Sequence, residues 1–456
     1  MWKLVSINPY NEEINAEFET LSDEALVLKI EQAHTAYLDW RHTSFAQRKE
    51  LFYKLADVIE KDLEETAKLQ TIEMGMLYSA SVAGLKGTGN LARWFADNAE
   101  KILWDKEFSE DWFTWKFQYE PLGVLYGVAP WNFPYNQVLR AAIPNILAWN
   151  VQVYKHASNV PMCAQQIEKW FLEAGFPVWV YNNIFVSSSQ SELIISHPLV
   201  RGVNLTGGEK AGRVLGRLAG ENLKPSVLEL GWNDAFIVAS NTNLDPIVDG
   251  AIAWRMRNGG QACTASKRFI VLAEYYDEFC EKFSQKMWNL SFWDPMHPDT
   301  QAQPLCQKAA REEVDKQVQE SIKDGAKLLT GWEITDVNGK GYFYKPTVLA
   351  DVTPDIYSFH EEIFGPVASV IKADDIDHAI ELANMIDLGL GGCVFWDNKE
   401  ELVSIAQRVE TGMMFINQTA SSKAALPFWG IKKSWYGKEN GPEGLRAFTN
   451  KKVIVY

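Results

Sequence analysis

The sequence is poor in the residues that build disulfide frameworks and metal sites. It has five cysteines and seven histidines in 456 residues. The cysteines, at positions 163, 263, 280, 306 and 393, are odd in number and form no CxxC pair, so neither a disulfide framework nor a zinc site is indicated. The histidines form no HExxH motif. We therefore expect no bound metal and a reduced, cytoplasmic protein.

Long apolar runs and positive charge are also scarce. No apolar run reaches transmembrane length, and the N-terminus does not have the architecture of a signal peptide. The net charge of −15 argues against binding to nucleic acid or to an anionic membrane surface. An anionic substrate would therefore need a locally basic pocket. The chain is long enough for two or three domains and a sizeable core.

The usual dinucleotide fingerprint is missing, because no GxGxxG follows a predicted strand. In its place, residues 205–210 read Leu-Thr-Gly-Gly-Glu-Lys, which predicts a strand that passes through two glycines into a helix. The free amides at such a helix N-terminus can bind a phosphate. By itself, this feature does not identify a nucleotide site.

Short apolar runs alternate with helical segments after a mainly helical stretch from Ser22 to about Leu103. The predicted strands are 124–128, 151–154, 184–186, 203–205, 227–230, 269–272 and 367–371, and the later helices are 276–287, 308–324 and 376–385. This alternation is typical of parallel, doubly wound sheets, so we predict two α/β domains. An aromatic ribbon over 108–120 is predicted to be either an intersubunit arm or a surface hairpin. A last strand over 451–456 could join a partner's sheet.

Two residues are of types that suit catalysis. Cys263 ends the stretch Asn258-Gly-Gly-Gln-Ala-Cys, in which glycine lets the backbone approach a ligand closely. Glu229 ends an apolar run, at the strand edge where open α/β sheets bind ligands. Taken alone, such a cysteine is more often a buried apolar residue, and such a glutamate a solvated loop residue. The pair needs further context.

That context is a resemblance, over nearly the whole chain, to the aldehyde dehydrogenase superfamily. Seven segments resemble it in order: Pro130-Trp-Asn-Phe-Pro134, Tyr154-Lys-His-Ala-Ser158, Leu205-Thr-Gly-Gly208, Leu228-Glu-Leu-Gly231, Gly260-Gln-Ala-Cys263, Glu361-Glu-Ile-Phe-Gly-Pro366 and Leu426-Pro-Phe. The resemblance implies an aldehyde dehydrogenase-like α/β fold. It places a cofactor-binding domain at 1–107 and 124–230, a catalytic domain at 231–425, and an oligomerisation element at 108–123 and 426–456.

Within the superfamily, the chain resembles the shorter, NADP-preferring bacterial succinate-semialdehyde dehydrogenases. The resemblance implies that Cys263 attacks the aldehyde as a thiolate and that Asn132, with the Cys263 amide, holds the oxyanion. Glu229 would activate the water that hydrolyses the resulting thioester. A dehydrogenase for another semialdehyde or a neutral aldehyde is the alternative. A CoA-acylating enzyme is disfavoured, because Glu229 gives water a base.

The resemblance also implies the cofactor site. Its residues are Trp131, Asn132, Lys155, His156, Ala157, Ser158, Gly207, Gly208, Leu230, Glu362 and Phe364. Glu362 would bind the nicotinamide ribose, and Lys155 the adenosine ribose. NAD-preferring members carry a glutamate at the position of Ser158, where a carboxylate would repel a 2′-phosphate. Ser158 therefore favours NADP, with NAD as the alternative. Gly208 lacks the hydroxyl that the family usually has there.

Two arginines are implied to choose the substrate. Arg140 and Arg257 match positions that bind the distal carboxylate in succinate-semialdehyde dehydrogenases, and arginine suits bidentate pairing with a carboxylate. The alternative is that each arginine caps a helix or pairs with a nearby glutamate. The expected partners are a small aldehyde and further copies of the chain, in a homodimer or homotetramer.

Seven of the eighteen tryptophans stand where the family usually has glycine: Trp149, Trp179, Trp232, Trp293, Trp332, Trp429 and Trp435. Independent drift would scatter among small residues. We hypothesise that the codon at these positions is UGA, reassigned to glycine in some bacteria and read here as tryptophan. The competing hypothesis is a catalytically silent homologue, because Trp232 would crowd the nicotinamide. A redox switch is disfavoured, because Ala265 stands where a second cysteine would lie.

Overall fold

Residues 2–239 and 243–456 are described by the structure, a computed structural model. The N-terminal part contains β1 Lys3–Ile7, β2 Ile14–Glu19, α1 Asp23–Trp40, α2 Phe45–Lys61, α3 Leu63–Met74, α4 Tyr78–Ile102, β3 Lys106–Glu110 and β4 Phe113–Pro121. Ser22 caps α1 by accepting the Ala25 N–H, which confirms the predicted helix start. The mainly helical stretch predicted from Ser22 to about Leu103 consists of the four helices α1 to α4, and α2 and α3 meet at Asp62.

The next elements build a six-stranded sheet. They are β5 Val124–Val128, α5 Asn136–Leu147, β6 Val151–Lys155, α6 Pro161–Glu173, β7 Tyr181–Asn183, α7 Ser191–Ser196, β8 Val200–Thr206, α8 Glu209–Glu221 and β9 Ser226–Glu229. The strands β9, β8, β5, β6 and β7 lie side by side in that order, all parallel. Their carboxyl ends therefore share one edge of the sheet, where ligands bind in open α/β folds.

Four of the five strands predicted here are confirmed, and the strand predicted at 184–186 is wrong. The strand is β7, three residues earlier, and it includes the buried residues Asn182 and Asn183. The Asn182 side-chain amide donates to the carbonyls of Gln152, at 3.0 Å, and Trp179, at 2.6 Å. These bonds let a polar side chain lie in the sheet, which a hydrophobic pattern does not detect.

A second, seven-stranded sheet follows. Its elements, with two small ribbons, are β10 Ala235–Val238, α9 Leu244–Arg255, β11 Arg268–Leu272, α10 Tyr276–Trp288, α11 Lys308–Lys323, β12 Lys327–Thr330, β13 Ile334–Val337, β14 Lys340–Tyr344, β15 Thr347–Ala350, α12 Tyr357–His360, β16 Val367–Ala373, α13 Ile376–Asn384, β17 Leu388–Gly389, β18 Gly391–Phe395, α14 Lys399–Arg408 and β19 Met413–Ile416. The order is β12, β15, β16, β11, β10, β18, β19, and only the edge strand β12 is antiparallel to its neighbour.

The chain ends with β20 Ile431–Lys432, β21 Trp435–Tyr436, α15 Gly441–Arg446 and β22 Thr449–Val455. β21 returns to the first sheet and pairs antiparallel with β9, so Trp435 lies opposite Glu229. β22 pairs with β4 of the same chain, and β3 completes a three-stranded sheet. Among the described residues β22 is an edge strand, bonded on one side only, so the suggestion that the last strand joins a partner's sheet stays a prediction.

The N-terminal helices and the first sheet share one apolar core, which contains the fully buried Phe52, Phe95, Tyr126 and Trp170. Two further clusters cover the two faces of the second sheet. Among the described residues, no helix is long and apolar enough to cross a membrane.

Three of the seven tryptophans at family glycine positions have a left-handed backbone. The φ angles are 64° at Trp149, 75° at Trp179 and 57° at Trp332. The eleven remaining tryptophans, all in the described parts of the chain, have none in this region. A left-handed conformation costs an L-residue about 1–2 kcal/mol, and glycine avoids that cost. The backbone at these three positions thus has the conformation that glycine favours.

Candidate active site

Cys263 follows a tight turn over Arg257–Gly260. Asn258, Gly259 and Gly260 all have positive φ angles in this turn. A Cβ atom on Gly260 would lie 2.0 Å from the Gly365 carbonyl oxygen, so glycine is required by the close approach of the two backbones. The turn leaves Cys263 8% exposed. Burial raises the pKa of its thiol, and the charges of Arg140, Lys267 and Arg257 oppose that rise.

Two cavities meet at Cys263. The larger, of about 670 Å³, is lined by Arg140, Arg257 and Phe428 among others, and the smaller, of about 290 Å³, is lined by Asn132, Trp232 and Glu362 among others. Cys263 and Gln137 line both. The side-chain amide nitrogen of Gln137 lies 3.9 Å from the Cys263 sulfur. The thiol can therefore contact one ligand from each side.

Glu229 ends β9 and is fully buried. One of its carboxylate oxygens accepts hydrogen bonds from the Arg140 guanidinium and, at 3.4 Å, from the Thr206 hydroxyl. The other oxygen has no hydrogen-bond partner among the described residues. A buried carboxylate with one free oxygen can accept a proton from a water molecule.

Arg140 is held by two carboxylates. Besides its ion pair with Glu229, its Nε atom donates to Glu439 at 2.8 Å, and its guanidinium lies 4.5 Å from the centre of the Phe428 ring. Burial raises the pKa of Glu439, and Arg140 opposes the rise. No local pattern points to Glu439, because it lies 299 residues from the arginine it contacts. Arg140 lines the larger cavity, but its charge is already balanced.

The surroundings of Arg257 differ from those of Arg140. Its guanidinium donates to the Thr264 hydroxyl at 3.1 Å and lies over the rings of Trp254 and Phe133, at 4.8 and 5.4 Å. Among the described residues it has no carboxylate partner. Burial lowers its pKa. The larger cavity therefore contains a half-buried cation, beside the thiol, that has no carboxylate partner among the described residues.

Asn132 lies next to the nucleophile loop. Its side-chain amide donates to the backbone carbonyl of Gln261 at 3.0 Å. The backbone carbonyl of Asn132 accepts from the Asn258 side chain at 2.7 Å. An amide group has two N–H donors, so one stays available to an oxyanion. The backbone N–H of Cys263 donates to no acceptor among the described residues. The structure thus brings Asn132 and Cys263 together on the wall of the smaller cavity, whereas Glu229 lines neither cavity and contacts the larger one only through Arg140.

Most predicted cofactor residues surround the smaller cavity. Trp131, Asn132, Gly207, Gly208, Leu230, Glu362 and Phe364 all line it. Trp131 and Phe364 contact each other edge to face, with 5.6 Å between ring centres. Gly208 caps α8 without a side-chain hydrogen bond and has open space around its Cα atom. This start of α8 can therefore accept a phosphate.

The other four predicted cofactor residues lie at the end of β6 and directly after it, and they do not line this cavity. Lys155 is half-buried and Ser158 is exposed, at the sheet edge that carries the other strand ends. His156 is buried instead, and its Nε2 atom lies 3.0 Å from the Tyr181 hydroxyl. Burial lowers the pKa of His156 to about 3, so its ring is neutral. The His156 side chain packs inside the sheet edge.

Trp232 forms part of the wall of the smaller cavity. Its ring is 2% exposed and stacks on Trp435, with ring centres 6.2 Å apart. Its backbone N–H donates to Glu362 at 3.3 Å. The indole therefore reduces the cavity where the resemblance places the nicotinamide.

Lys267 is a further residue that the sequence did not identify. Its ammonium group is buried between the nucleophile loop and Glu362. Across the described residues, no cluster of three or more His, Cys, Asp or Glu side chains is placed to hold a metal ion.

These features, a buried thiol between two cavities and a carboxylate at a strand end, define a thiol-dependent enzyme on a doubly wound fold. The chain belongs to the aldehyde dehydrogenase family, whose pattern it matches over residues 3–454. It is 39% identical to succinate-semialdehyde dehydrogenase [NADP(+)] 1 of Mycobacterium tuberculosis over 454 residues, 99% of each chain. It is 40% identical to the protein of the same name from Mycobacterium ulcerans, again over 99% of each chain.

Solved structures agree with this assignment. The structure of succinic semialdehyde dehydrogenase from Streptococcus pyogenes in complex with NADP+ superimposes with a TM-score of 0.96, 36% identity and 99% coverage of both chains. The structure of Gox0499 superimposes with a TM-score of 0.97 and 38% identity, over 100% of this chain and 99% of the other. The predicted aldehyde dehydrogenase fold is confirmed.

Proposed function

We propose that this chain oxidises succinate semialdehyde to succinate with NADP. The observation that carries the proposal is Arg257, a half-buried guanidinium that has no carboxylate partner among the described residues and lines the same cavity as Cys263. A carboxylate on the substrate would balance this charge. The relatives at 39–40% identity are named for this substrate and this cofactor.

We assign each chemical step to a residue of the site. The Cys263 thiolate forms a bond to the aldehyde carbon, and the oxygen takes the negative charge. The Asn132 amide and the Cys263 N–H donate to that oxygen. A bound NADP would supply the acceptor for the hydride that leaves this carbon. Water then attacks the Cys263 thioester, its proton passes to Glu229, and the carbon–sulfur bond breaks to release succinate.

The smaller cavity supports a cofactor at the thiol. Glu362 and Phe364 would hold the nicotinamide ribose and pack against it, and the start of α8 at Gly208 would bind a phosphate. Lys155 and the exposed Ser158 lie further along the same sheet edge. Without a carboxylate, Ser158 leaves room for the 2′-phosphate that distinguishes NADP from NAD. Trp232 limits the size of this cavity and is the main obstacle to binding.

A second candidate is the oxidation of a neutral aldehyde. It is favoured by Arg140, whose guanidinium is already balanced by Glu229 and Glu439. On this account Arg257 would serve only to stabilise the thiolate. The two candidates differ in whether a carboxylate on the substrate raises kcat/KM.

Steady-state NADPH formation with succinate semialdehyde and with propanal separates these candidates. We expect a higher kcat/KM for succinate semialdehyde, since only this substrate balances Arg257. Equal values for the two aldehydes would favour the neutral substrate. Absence of turnover with both, in the chain as written and in Trp232→Gly, would support a catalytically silent homologue.

We further propose that the chain acts in the reducing cytoplasm as a homodimer or homotetramer. Cys263 must be a free thiol to react, and all five cysteines are free. The three-stranded sheet of β3, β4 and β22 presents exposed apolar side chains, among them Trp112 and Val455, that a second copy could cover.

A further inference from the structure

Lys267 connects two parts of the site that lie far apart in the sequence. Its Nζ atom donates to the Cys263 carbonyl at 2.7 Å and to the Ala262 carbonyl at 3.3 Å. The same atom lies 2.9 Å from one carboxylate oxygen of Glu362. The other oxygen of Glu362 accepts the Trp232 N–H at 3.3 Å. One ammonium group thus contacts both the nucleophile loop and the predicted ribose ligand.

The position of Lys267 determines how one peptide group is oriented. The Ala262 carbonyl and the Cys263 N–H belong to the same peptide bond, and in a trans peptide they point in opposite directions. By binding the Ala262 carbonyl, Lys267 turns the Cys263 N–H away from itself. That N–H is one of the two donors assigned to the oxyanion. A hydrogen bond on one side of the peptide thereby fixes a catalytic donor on the other.

The charge of Lys267 also acts on the thiol. The Lys267 side chain is 3% exposed and that of Glu362 is 20% exposed, so their ion pair is weakly screened by solvent. Lys267, with Arg140 and Arg257, opposes the rise in the pKa of Cys263 that burial causes. Glu362 balances part of the Lys267 charge. The net effect of Lys267 on the thiol therefore depends on how closely Glu362 is paired with it.

We propose that Lys267 is a positioning residue that couples Glu362 to the nucleophile: it orients the Cys263 peptide and shares its charge between the Glu362 carboxylate and the Cys263 thiol. A cofactor ribose that draws Glu362 away from Lys267 leaves more of that charge to stabilise the thiolate. This inference rests on the proposed function only through the role of Glu362 as ribose ligand.

Two variants with opposite expected effects test the coupling, in the full-length protein without cofactor or substrate. Lys267→Met removes the ammonium group with little change in volume. Glu362→Gln keeps the side-chain shape and removes its charge. The readout is the rate of alkylation of Cys263 by iodoacetamide across pH, followed by mass spectrometry of the peptide that contains Cys263. The reactive form is the thiolate, so this rate reports the pKa of the thiol.

We expect Lys267→Met to slow alkylation at pH 7 about ten-fold, the effect of a rise of one unit in the pKa of the thiol. We expect Glu362→Gln to speed it, because the charge of Lys267 is then unbalanced. The double variant should behave like Lys267→Met, and Lys267→Arg should restore most of the rate. Arg140 and Arg257, the other cations that act on the thiol, are kept in every variant.

Loss of packing alone would not produce opposite signs. If both variants slow alkylation equally, or if neither changes it, the coupling is absent and the proposal is wrong. Where Lys267→Met does not fold, Glu362→Gln alone decides, since it must speed the reaction. Lys49→Met, which removes an exposed lysine paired with Asp97, is the matched control and should leave the rate unchanged. Because alkylation needs neither aldehyde nor NADP, its result stands independently of the substrate assignment.

Discussion

Two arginines of the larger cavity show how the same residue type serves different roles. Arg140 is balanced by Glu229 and Glu439, whereas Arg257 has no carboxylate partner among the described residues. Withdrawing a charge from water without a counter-ion is costly, even where the side chain is half-buried as at Arg257, and a ligand of opposite charge offsets that cost. We therefore propose that Arg257 is the main ligand of the substrate carboxylate. Arg140 mainly affects the basicity of Glu229.

Glu439 is expected to affect the basicity of Glu229, because both carboxylates pair with Arg140. In Glu439→Gln, Arg140 loses one of its two carboxylates and binds Glu229 more strongly, which makes Glu229 a weaker base. We expect hydrolysis of the Cys263 thioester to slow about ten-fold and a burst of NADPH to appear in the first turnover. Stopped-flow absorbance at 340 nm measures the burst. Steady formation without a burst would contradict this role, and Glu410→Gln, on the surface, is the control.

The left-handed backbone at some tryptophans is expected to lower the stability of the protein. Trp332 is 41% exposed and has a φ of 57°. We expect Trp332→Gly to raise the free energy of unfolding by about 1 kcal/mol, because glycine avoids the left-handed strain. Trp288→Gly is the control: Trp288 is also exposed, at 59%, but ends α10, where glycine should destabilise. Denaturant unfolding measures both, and equal destabilisation would contradict the expectation.

The gene offers a direct check of the codon hypothesis. Trp149, Trp179 and Trp332 have glycine-like backbones, and Trp232 narrows the cofactor cavity. UGA codons at these positions are expected if the native residues are glycines. UGG codons at Trp232 and Trp429 would contradict the hypothesis.

At the scale of elements, the site depends on strand ends. The carboxyl ends of β5, β8 and β9 lead directly to Pro130, Gly207 and Leu230, which line the smaller cavity. The loop after β9 brings Trp232 into the same wall. A single substitution in that loop should therefore change cofactor affinity without changing the sheet.

Trp232→Gly is the corresponding prediction. Removing the indole enlarges the cavity, and we expect NADP to bind about ten-fold more tightly, a gain of about 1.4 kcal/mol. The free energy of unfolding should fall by about 3–5 kcal/mol, because the side chain is buried. Titration of NADP followed by intrinsic fluorescence measures the affinity. The control is Trp435→Gly, which removes the stacking partner outside the cavity wall. An equal effect of both variants on affinity would contradict the account.

The local pattern of apolar residues predicted most of the strands and helices. It predicted few of the side-chain contacts within the site. The strands ending at Val128, Thr206 and Glu229 were identifiable because apolar runs of strand length recur between helices. β7 was misplaced because its asparagines are buried by hydrogen bonds. The contacts of Arg140 with Glu439 and of Lys267 with Glu362 join distant segments, and no local pattern records such pairs.

At the scale of the molecule, the small sheet of β3, β4 and β22 is the predicted oligomerisation element. Val453 and Val455 alternate along β22 and are 54% and 61% exposed. We expect Val453→Asp with Val455→Asp to lower the oligomeric state, because two charges would be buried in the contact between copies. Light scattering after size-exclusion chromatography measures the mass. Val403→Asp, on α14, should leave the mass unchanged, and an unchanged mass in the β22 variant would contradict the assignment.

Arg257→Met, assayed with two substrates, tests whether Arg257 binds the carboxylate of a semialdehyde. We expect the ratio of kcat/KM for succinate semialdehyde to that for propanal to fall about 10- to 100-fold, the value of one charge-assisted contact. Arg257→Lys should recover part of this loss. An unchanged ratio, with both aldehydes losing activity equally, would contradict the claim and leave Arg257 as a residue that acts on the thiol alone.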